Sequence, residues 1–410
     1  MMACFRPTIL HCLILCLLTA FQGIGYAQDK SIKAPELPAF PLAVWLQIPK
    51  KAPRYKEAGI NLYVGLWKGP TEGQLAELSR HGMPVVCGQN AVGIGHVRSE
   101  NPVIVGWLQP DEPDNAQSIV AGWDDLKKAK VRVTIDGSGF GKYGPPVPPA
   151  RIVAAYRRMK AVDPSRPVLL NLGQGVAWRY PGRGVRTGHN EDYPEYLEGC
   201  DIASFDIYPS RHRNDKIRGK LHKVAEGQTN LRRWAGPDKP RWAVIECNRA
   251  GFENERPTPD DVRAQVWMAI VHGARGIVYF VHHFDPFVEA GLLRDKEMLR
   301  EVTALNRQIT RLAPAIVSDD IPDRLAVRTE PDDAPVAAVL KRHDGALYVF
   351  AVCMRAKETR ATFVIGGLGK RPNLAAEVLD EDRTRPLDGG AFTDRFGPYG
   401  VGLYRIAVGE

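Results

Sequence analysis

The chain has 410 residues, 44% of them hydrophobic and 25% charged. These are globular values that exclude a disordered or fibrous chain, and the length suits one large domain followed by a small one. Fifty-five basic against 47 acidic residues give a formal net charge of +8, but the excess is spread without a basic block, so nucleic acid is not an expected partner.

Residues 1–27 read as a secretory signal. Arg6 precedes an apolar stretch through Ile9, Leu10 and 12–18, and Gly25-Tyr26-Ala27 supplies a small-x-small cleavage pattern. The alternative is an uncleaved anchor; Cys16 lacks the small residue before it that a lipoprotein site needs. No later run is long and apolar enough to span a bilayer. The expectation is a secreted or periplasmic protein with no membrane insertion after signal cleavage. Cys4, Cys12 and Cys16 leave with the signal, whereas Cys87, Cys200, Cys247 and Cys353 remain in or beside apolar runs. Their spacing fits neither a zinc ribbon nor a disulfide framework, so buried free thiols are expected.

From about residue 42 to 316, short apolar runs alternate with helical segments. The runs cover 42–47, 60–65, 84–89, 104–109, 167–172, 201–207, 241–247 and 276–281, eight in all. Most are near-continuously apolar, as parallel strands covered on both faces should be. Thr71 to His81 carries Leu75 and Leu78 at helical spacing, with Gly82 closing it. Thr258-Pro259-Asp260-Asp261 places a capping threonine, a first-turn proline and acidic residues at a helix start. A long helix from Lys296 to Leu312 repeats apolar positions at Met298, Val302, Leu305, Ile309 and Leu312. No glycine fingerprint follows the first strand, so the alternation predicts an α/β fold of the (β/α)8 TIM-barrel type over 28–320 rather than a doubly wound sheet. The stretch 114–150 is read as a decorated loop after strand four, with 131–135 open as a further strand.

After about Asp323 the pattern changes to strands and turns. Val336 to Arg342, the pair Asp344-Gly345, and Leu347 to Met354 read as a hairpin, and 359–365, 376–379 and 402–408 follow without a convincing helix. This predicts a small all-β antiparallel sandwich over 321–410, packed on the last barrel helix where Leu312, Ala313 and Pro314 precede it.

In a barrel of this kind the chemistry sits at the C-terminal strand ends. Here those ends carry Trp45, Gln47, Tyr63, Trp67, Gln89, Asn90, Asn171, Gln174, Asp206, Tyr208, Asn248, His282 and His283, a mixture of stacking faces, amides and carboxylates that suits a carbohydrate. Glu112 follows strand four in Trp107-Leu108-Gln109-Pro110-Asp111-Glu112-Pro113, and Glu246 ends the apolar run Trp242-Ala243-Val244-Ile245. A carboxylate in such surroundings is costly unless paired or functional. Otherwise Glu112 is a helix-start acid beside Pro113, and Glu246 an ion-pair partner of Arg249 or Arg263. Asp206 either orients Tyr208 or makes a core hydrogen bond. The loop 173–189, with Trp178, Arg179, Tyr180, Arg183 and Arg186, is either a solvated loop or a lid that stacks a sugar and binds an acidic group.

A carboxylate after strand four and another at strand seven resembles clan A of the glycoside hydrolases, over about residues 40–316, and a trailing sandwich is found in many of its members. The resemblance implies a retaining glycosidase acting on a β-linked or arabinose-type oligo- or polysaccharide, with Glu112 as acid/base and Glu246 as nucleophile. It places Tyr208 where a tyrosine contacts the nucleophile, and Asp111 where the clan usually has Asn. Trp45, Gln89, Asn171, Asp206, His282 and His283 complete the expected substrate contacts, with no cofactor and no metal. Two other readings stand beside it. One is a carbohydrate-binding barrel without turnover, which the Asp111 departure favours. The other is a metal-dependent hydrolase using His282, His283 and Asp206.

Overall fold

Eight short strands close a parallel barrel in chain order. They are β1 (Leu42–Trp45), β2 (Leu62–Val64), β3 (Val85–Cys87), β4 (Ile104–Leu108), β5 (Val168–Leu172), β6 (Ile202–Asp206), β7 (Arg241–Glu246) and β8 (Ile277–Phe280). Ala43 of β1 pairs with Val278 of β8 to complete the ring. The computed structural model describes residues 36–99, 102–117, 143–249, 255–284, 286–369 and 373–409. The signal reading at 1–27 and the strand alternative at 131–135 lie outside those residues.

The outer layer contains α1 (Ala52–Glu57), α2 (Glu72–Arg80), α3 (Ala91–His96), α4 (Pro149–Val162), α5 (Tyr193–Glu198), α6 (Lys223–Ala235), α7 (Pro259–Val271) and α8 (Lys296–Val317). The expected Thr258 cap is present, and a second cap stands at Thr71. Thr71 and Gln74 form a capping box on α2, and Thr258 and Asp261 form one on α7, each satisfying two otherwise unpaired backbone groups. Helix α8 does not stop at Leu312 before Pro314; it continues to Val317. Pro314 removes one backbone donor, whose acceptor would be the carbonyl of solvent-exposed Thr310, while buried Ala315 and Ile316 hold the last turn by packing.

After β8 a two-residue-per-strand hairpin, β9 (His283–Phe284) and β10 (Phe287–Val288), stands at the barrel mouth. The sandwich follows. A three-stranded sheet joins β11 (Leu325–Glu330), β14 (Thr359–Ile365) and β17 (Ala391–Phe396). A five-stranded sheet orders β12 (Val336–His343), β13 (Ala346–Cys353), β18 (Val401–Ala407), β15 (Ala375–Val378) and β16 (Arg383–Pro386). Side chains alternate across a strand, and β13 uses both faces. Leu347, Val349, Ala351 and Cys353 enter the sandwich core, whereas Phe350 joins the barrel's outer core and Val352 packs with Ala264 and Met268 of α7. The chief barrel contact is therefore α7 as well as α8, with the Trp267 and Phe350 ring centroids 5.3 Å apart. Cys87, Cys200, Cys247 and Cys353 are free and buried.

Candidate active site

The same alternation positions the polar groups at the mouth. Leu169 of β5, Ile202 of β6, and Trp242 and Val244 of β7 belong to the cluster that fills the barrel interior. Counting on by two along each strand brings Asn171, then Ser204 and Asp206, then Glu246 to that inner face at the C-terminal end. Strand β4 delivers Asp111 and Glu112 just beyond its end.

Glu112 lies in a tight turn, not at a helix start. Its φ of +43° is left-handed, uncommon for a residue with a side chain. The turn is fixed because the Glu112 amide donates to the Asn171 carbonyl at 3.0 Å and the Asn115 amide donates to the Glu112 carbonyl at 3.1 Å. The next loop crosses closely above it: a Cβ on Gly173 would fall 2.6 Å from Asn115 Oδ1. Backbone strain of this kind persists where the surrounding contacts over-determine it, and such positions cluster at active sites.

Asp206 brings its carboxylate within hydrogen-bonding reach of Glu112. Burial first, then the negative charge of Asp206, holds the Glu112 carboxyl well above the usual carboxylate range. Burial also raises Asp206, but hydrogen bonds from Glu112 and from the Tyr208 hydroxyl oppose that. Of the pair, Glu112 is pushed the further up, and Asp206 accepts from two donors. Asp206 Oδ1 has no amine, amide or alcohol donor among the described residues, which a proton on the neighbouring carboxyl accommodates.

A second chain of bonds sets Asp111. Ser204 Oγ donates to Asn171 Oδ1 at 2.8 Å, and Asn171 Nδ2 donates to Asp111 Oδ1 at 2.9 Å. The Asp111 side chain opens to solvent at the cleft floor yet is crowded by protein; desolvation and the charge of Asp206 push its carboxyl up to about 7. Asp114, which the sequence reading did not single out, is fully buried. It accepts from the Gly173 amide at 2.8 Å and the Tyr193 hydroxyl at 3.2 Å, and its carbonyl accepts from Arg183 Nε at 3.1 Å. It ties the β4 and β5 loops together. Its only sequence signal was a third acid two residues beyond Glu112 in a proline-bounded turn.

Glu246 is 2% exposed, and its Oε1 accepts from the Ser210 amide at 2.7 Å. Ser210 Oγ in turn donates to Asp261, the capping residue of α7. The alternative ion pair with Arg263 does not form, because Arg263 donates to Gln308 at 3.1 Å. Tyr208 directs its hydroxyl to Asp206 and sets its ring 5.0 Å from Phe280. Of the two histidines, His282 Nε2 lies 3.0 Å from Gln47 Nε2, and burial lowers its pKa, so it is the neutral acceptor of that amide. His283 is buried with Nε2 unpartnered among the described residues.

The remaining expected contacts are turned away from the cleft. Trp45 is 4% exposed within the barrel interior, and Gln89 donates its amide to the Met159 carbonyl of α4. In the loop 173–189, Arg183 and Arg186 both pair with Asp192, so these two arginines brace the loop instead of presenting an anion site. Among the described residues no three His, Cys, Asp or Glu side chains converge to hold a metal ion, the set His282, His283 and Asp206 included. A cavity of about 570 Å³ lined by Arg263, Gln308, Arg311 and Asp380 lies on the outer helix layer and contains none of the mouth residues.

No family model and no curated protein matches the chain. Solved structures do. A catalytic mutant of Gan42B, a GH42 beta-galactosidase from G. stearothermophilus, is similar with a TM-score of 0.55 at 9% identity, over 91% of this chain and 100% of that one. A mutant of AmyP in complex with maltotriose is similar with a TM-score of 0.50 at 10% identity, over 88% of this chain and 90% of that one. At these identities what the chain shares with them is the fold, built on an eight-stranded parallel barrel.

Proposed function

We propose that the protein is an exported glycosidase, secreted or periplasmic, in which Glu112 is the general acid/base and Glu246 the nucleophile of a retaining reaction. The observation that carries this reading is the place of Glu112 at the β4 exit, in a left-handed turn against Asp206, where burial and that neighbouring charge raise its pKa. A glycosidic oxygen is a poor leaving group and needs a proton near neutral pH, which a carboxyl with a raised pKa supplies. In the first step Glu112 gives its proton to the leaving oxygen while Glu246 attacks the anomeric carbon. In the second, Glu112 as carboxylate takes a proton from the water that releases the sugar. Asp111, exposed at the mouth and oriented by buried Asn171, is positioned to meet a sugar hydroxyl. The N-terminal apolar run and its small-x-small end support export; intact-mass measurement of the exported protein should show loss of 27 residues.

The test is turnover on aryl glycosides and polysaccharides, with β-galactosides and α-glucans included because the two similar structures carry those names. Glu246→Gln should abolish turnover on every substrate. Glu112→Gln should spare activated aryl substrates, whose leaving group needs no proton, and lose the rest by roughly 100-fold or more. One observation favours a second reading: the Asp206 carboxylate lies within hydrogen-bonding reach of Glu112. If Asp206 is the second catalytic carboxylate, Asp206→Ala should abolish turnover and azide restore it, while Glu246→Gln only weakens it.

A further inference from the structure

The mouth carries a run of rings that none of this chemistry uses. Tyr208, whose hydroxyl meets Asp206, lies 5.0 Å from Phe280; Phe280 lies 5.8 Å from Phe284; and Phe284 lies 6.2 Å from Phe287 (centroid distances). His282 flanks the run, with centroids 5.1 Å from Phe280, 6.3 Å from Phe284 and 6.0 Å from Phe287. Exposure rises outward, from 8% at Phe280 to 38% at Phe284 and 64% at Phe287. The run therefore begins at the carboxylates and ends in solvent.

Its support is rigid. Gln47 donates to the Glu289 carbonyl at 3.0 Å and contacts His282, while the Glu289 carboxylate takes the Ile48 amide at 2.5 Å and the Lys51 ammonium. The hairpin β9–β10 is thus anchored to the β1 loop directly after its second strand. Two phenylalanines held in water on such a base are an apolar surface without a folding role, the kind that marks a binding site.

We propose that Tyr208, Phe284 and Phe287, backed by buried Phe280, form a track for an uncharged glycan chain of several sugar units, leading from the carboxylates out over the β8 hairpin. Sugar rings stack their C–H faces on aromatic rings, and each ring-to-ring step is comparable to the advance of one sugar unit. The inner end decides the charge of the occupant. Asp111, Glu112 and Asp206 crowd it so closely that the Asp206 charge already disfavours ionisation of the other two, and Arg183 and Arg186 of the adjoining loop are paired with Asp192, so a uronate would add unfavourable negative charge there. The inference deepens the glycosidase reading by naming the substrate as a neutral chain, not a small glycoside.

The experiment separates the two readings. Glu112→Gln, silenced for turnover of natural glycosides, is titrated calorimetrically with gluco-, xylo- and galacto-oligosaccharides of increasing length and with oligogalacturonate. One neutral series should bind more tightly with each added unit, and the uronate should not bind. Adding Phe284→Ala and Phe287→Ala should weaken the longest oligomer by roughly tenfold, leave the monosaccharide unchanged, and leave the melting temperature unchanged because both rings are exposed. Length dependence that survives the double substitution overturns the track, as does absence of binding by every neutral series. Sedimentation at rising concentration covers the other occupant: a dimer lost on the double substitution, with glycan binding intact, makes the hairpin a self-association surface. Length-dependent binding without hydrolysis by the unmodified protein leaves the track standing and removes the glycosidase reading alone.

Discussion

Asp111, Glu112, Asp114 and Asp206 all have raised pKa values, and for Glu112 and Asp111 the consequences differ because their partners differ. Glu112 is pushed up by burial and by the charge and acceptor oxygen of Asp206. Asp206→Asn removes that charge, so Glu112 should ionise at lower pH. The alkaline limb of the kcat/KM profile should move down by on the order of 1 to 2 pH units. An unmoved limb would mean that Asp206 does not set the acid. Asp111 can be tested through stability instead. Its folded-state pKa, about 7, lies above the ordinary value, so the stability it contributes is full below about pH 4 and is lost as pH rises through about 7. Asp111→Asn keeps an oxygen for Asn171 but cannot ionise. Its melting temperature relative to the unmodified protein should therefore climb between pH 5 and pH 8; a constant difference over that range would count against the crowding of Asp111. The sequence made Glu112, Asp206 and Tyr208 visible as strand-end residues. The pairing of Glu112 with Asp206 was not legible, because it depends on how the β4 turn folds back under the Asn171 carbonyl, a contact across 59 residues of chain.

The barrel strands were legible because burial on both faces leaves near-continuous apolar runs, and only their ends moved by one or two residues. The sandwich was harder. Thr359–Ile365 was read with its observed bounds, but β11, β16 and β17 were missed. Strand β17 reads Ala-Phe-Thr-Asp-Arg-Phe, with Phe392, Asp394 and Phe396 all buried, so an acid occupies a core position and breaks the apolar alternation. Asp394 is tolerated there because it accepts from Arg383 at 2.7 Å, Arg385 at 2.6 Å, the Arg395 amide at 2.9 Å and the Tyr404 hydroxyl at 3.1 Å. Burial works to raise its pKa, but the arginine bonds prevail and hold it below the usual range. Strand β16 supplies both arginines and consequently looks like a polar loop in sequence. Asp394→Asn should cost about 2 kcal/mol at pH 7. Because the folded pKa is lowered, that contribution is present above the ordinary carboxylate pKa and lost as pH falls through the folded value, so the gap should narrow toward pH 3. Chemical denaturation at pH 7 and pH 3 measures it; an equal gap at both would mean that the ion pairs are idle.

At the scale of the whole molecule, the five-stranded sheet is a middle layer between two cores, and the barrel and sandwich lie in one compact unit. Strand β13 forces this arrangement: with eight residues and almost no polar position, it cannot present a wetted face, so its second side must be covered by helix α7. The joint is apolar and central. Trp267, Met268 and Ala264 of α7 are buried, as are Phe350 and Val352 opposite them. Phe350→Ala should cost about 3 to 5 kcal/mol, the range for deleting a buried aromatic ring. A chain ending at Ala315 loses the whole cover. Its barrel would keep all eight strands but expose Trp267 and its neighbours on α7 as a contiguous apolar patch, which drives association. The expected result is an aggregating or poorly expressed barrel, read by soluble yield and by sedimentation of whatever is recovered. A monomeric truncated barrel melting near the full-length protein would show that the middle layer is dispensable, and Phe350→Ala should then be correspondingly mild.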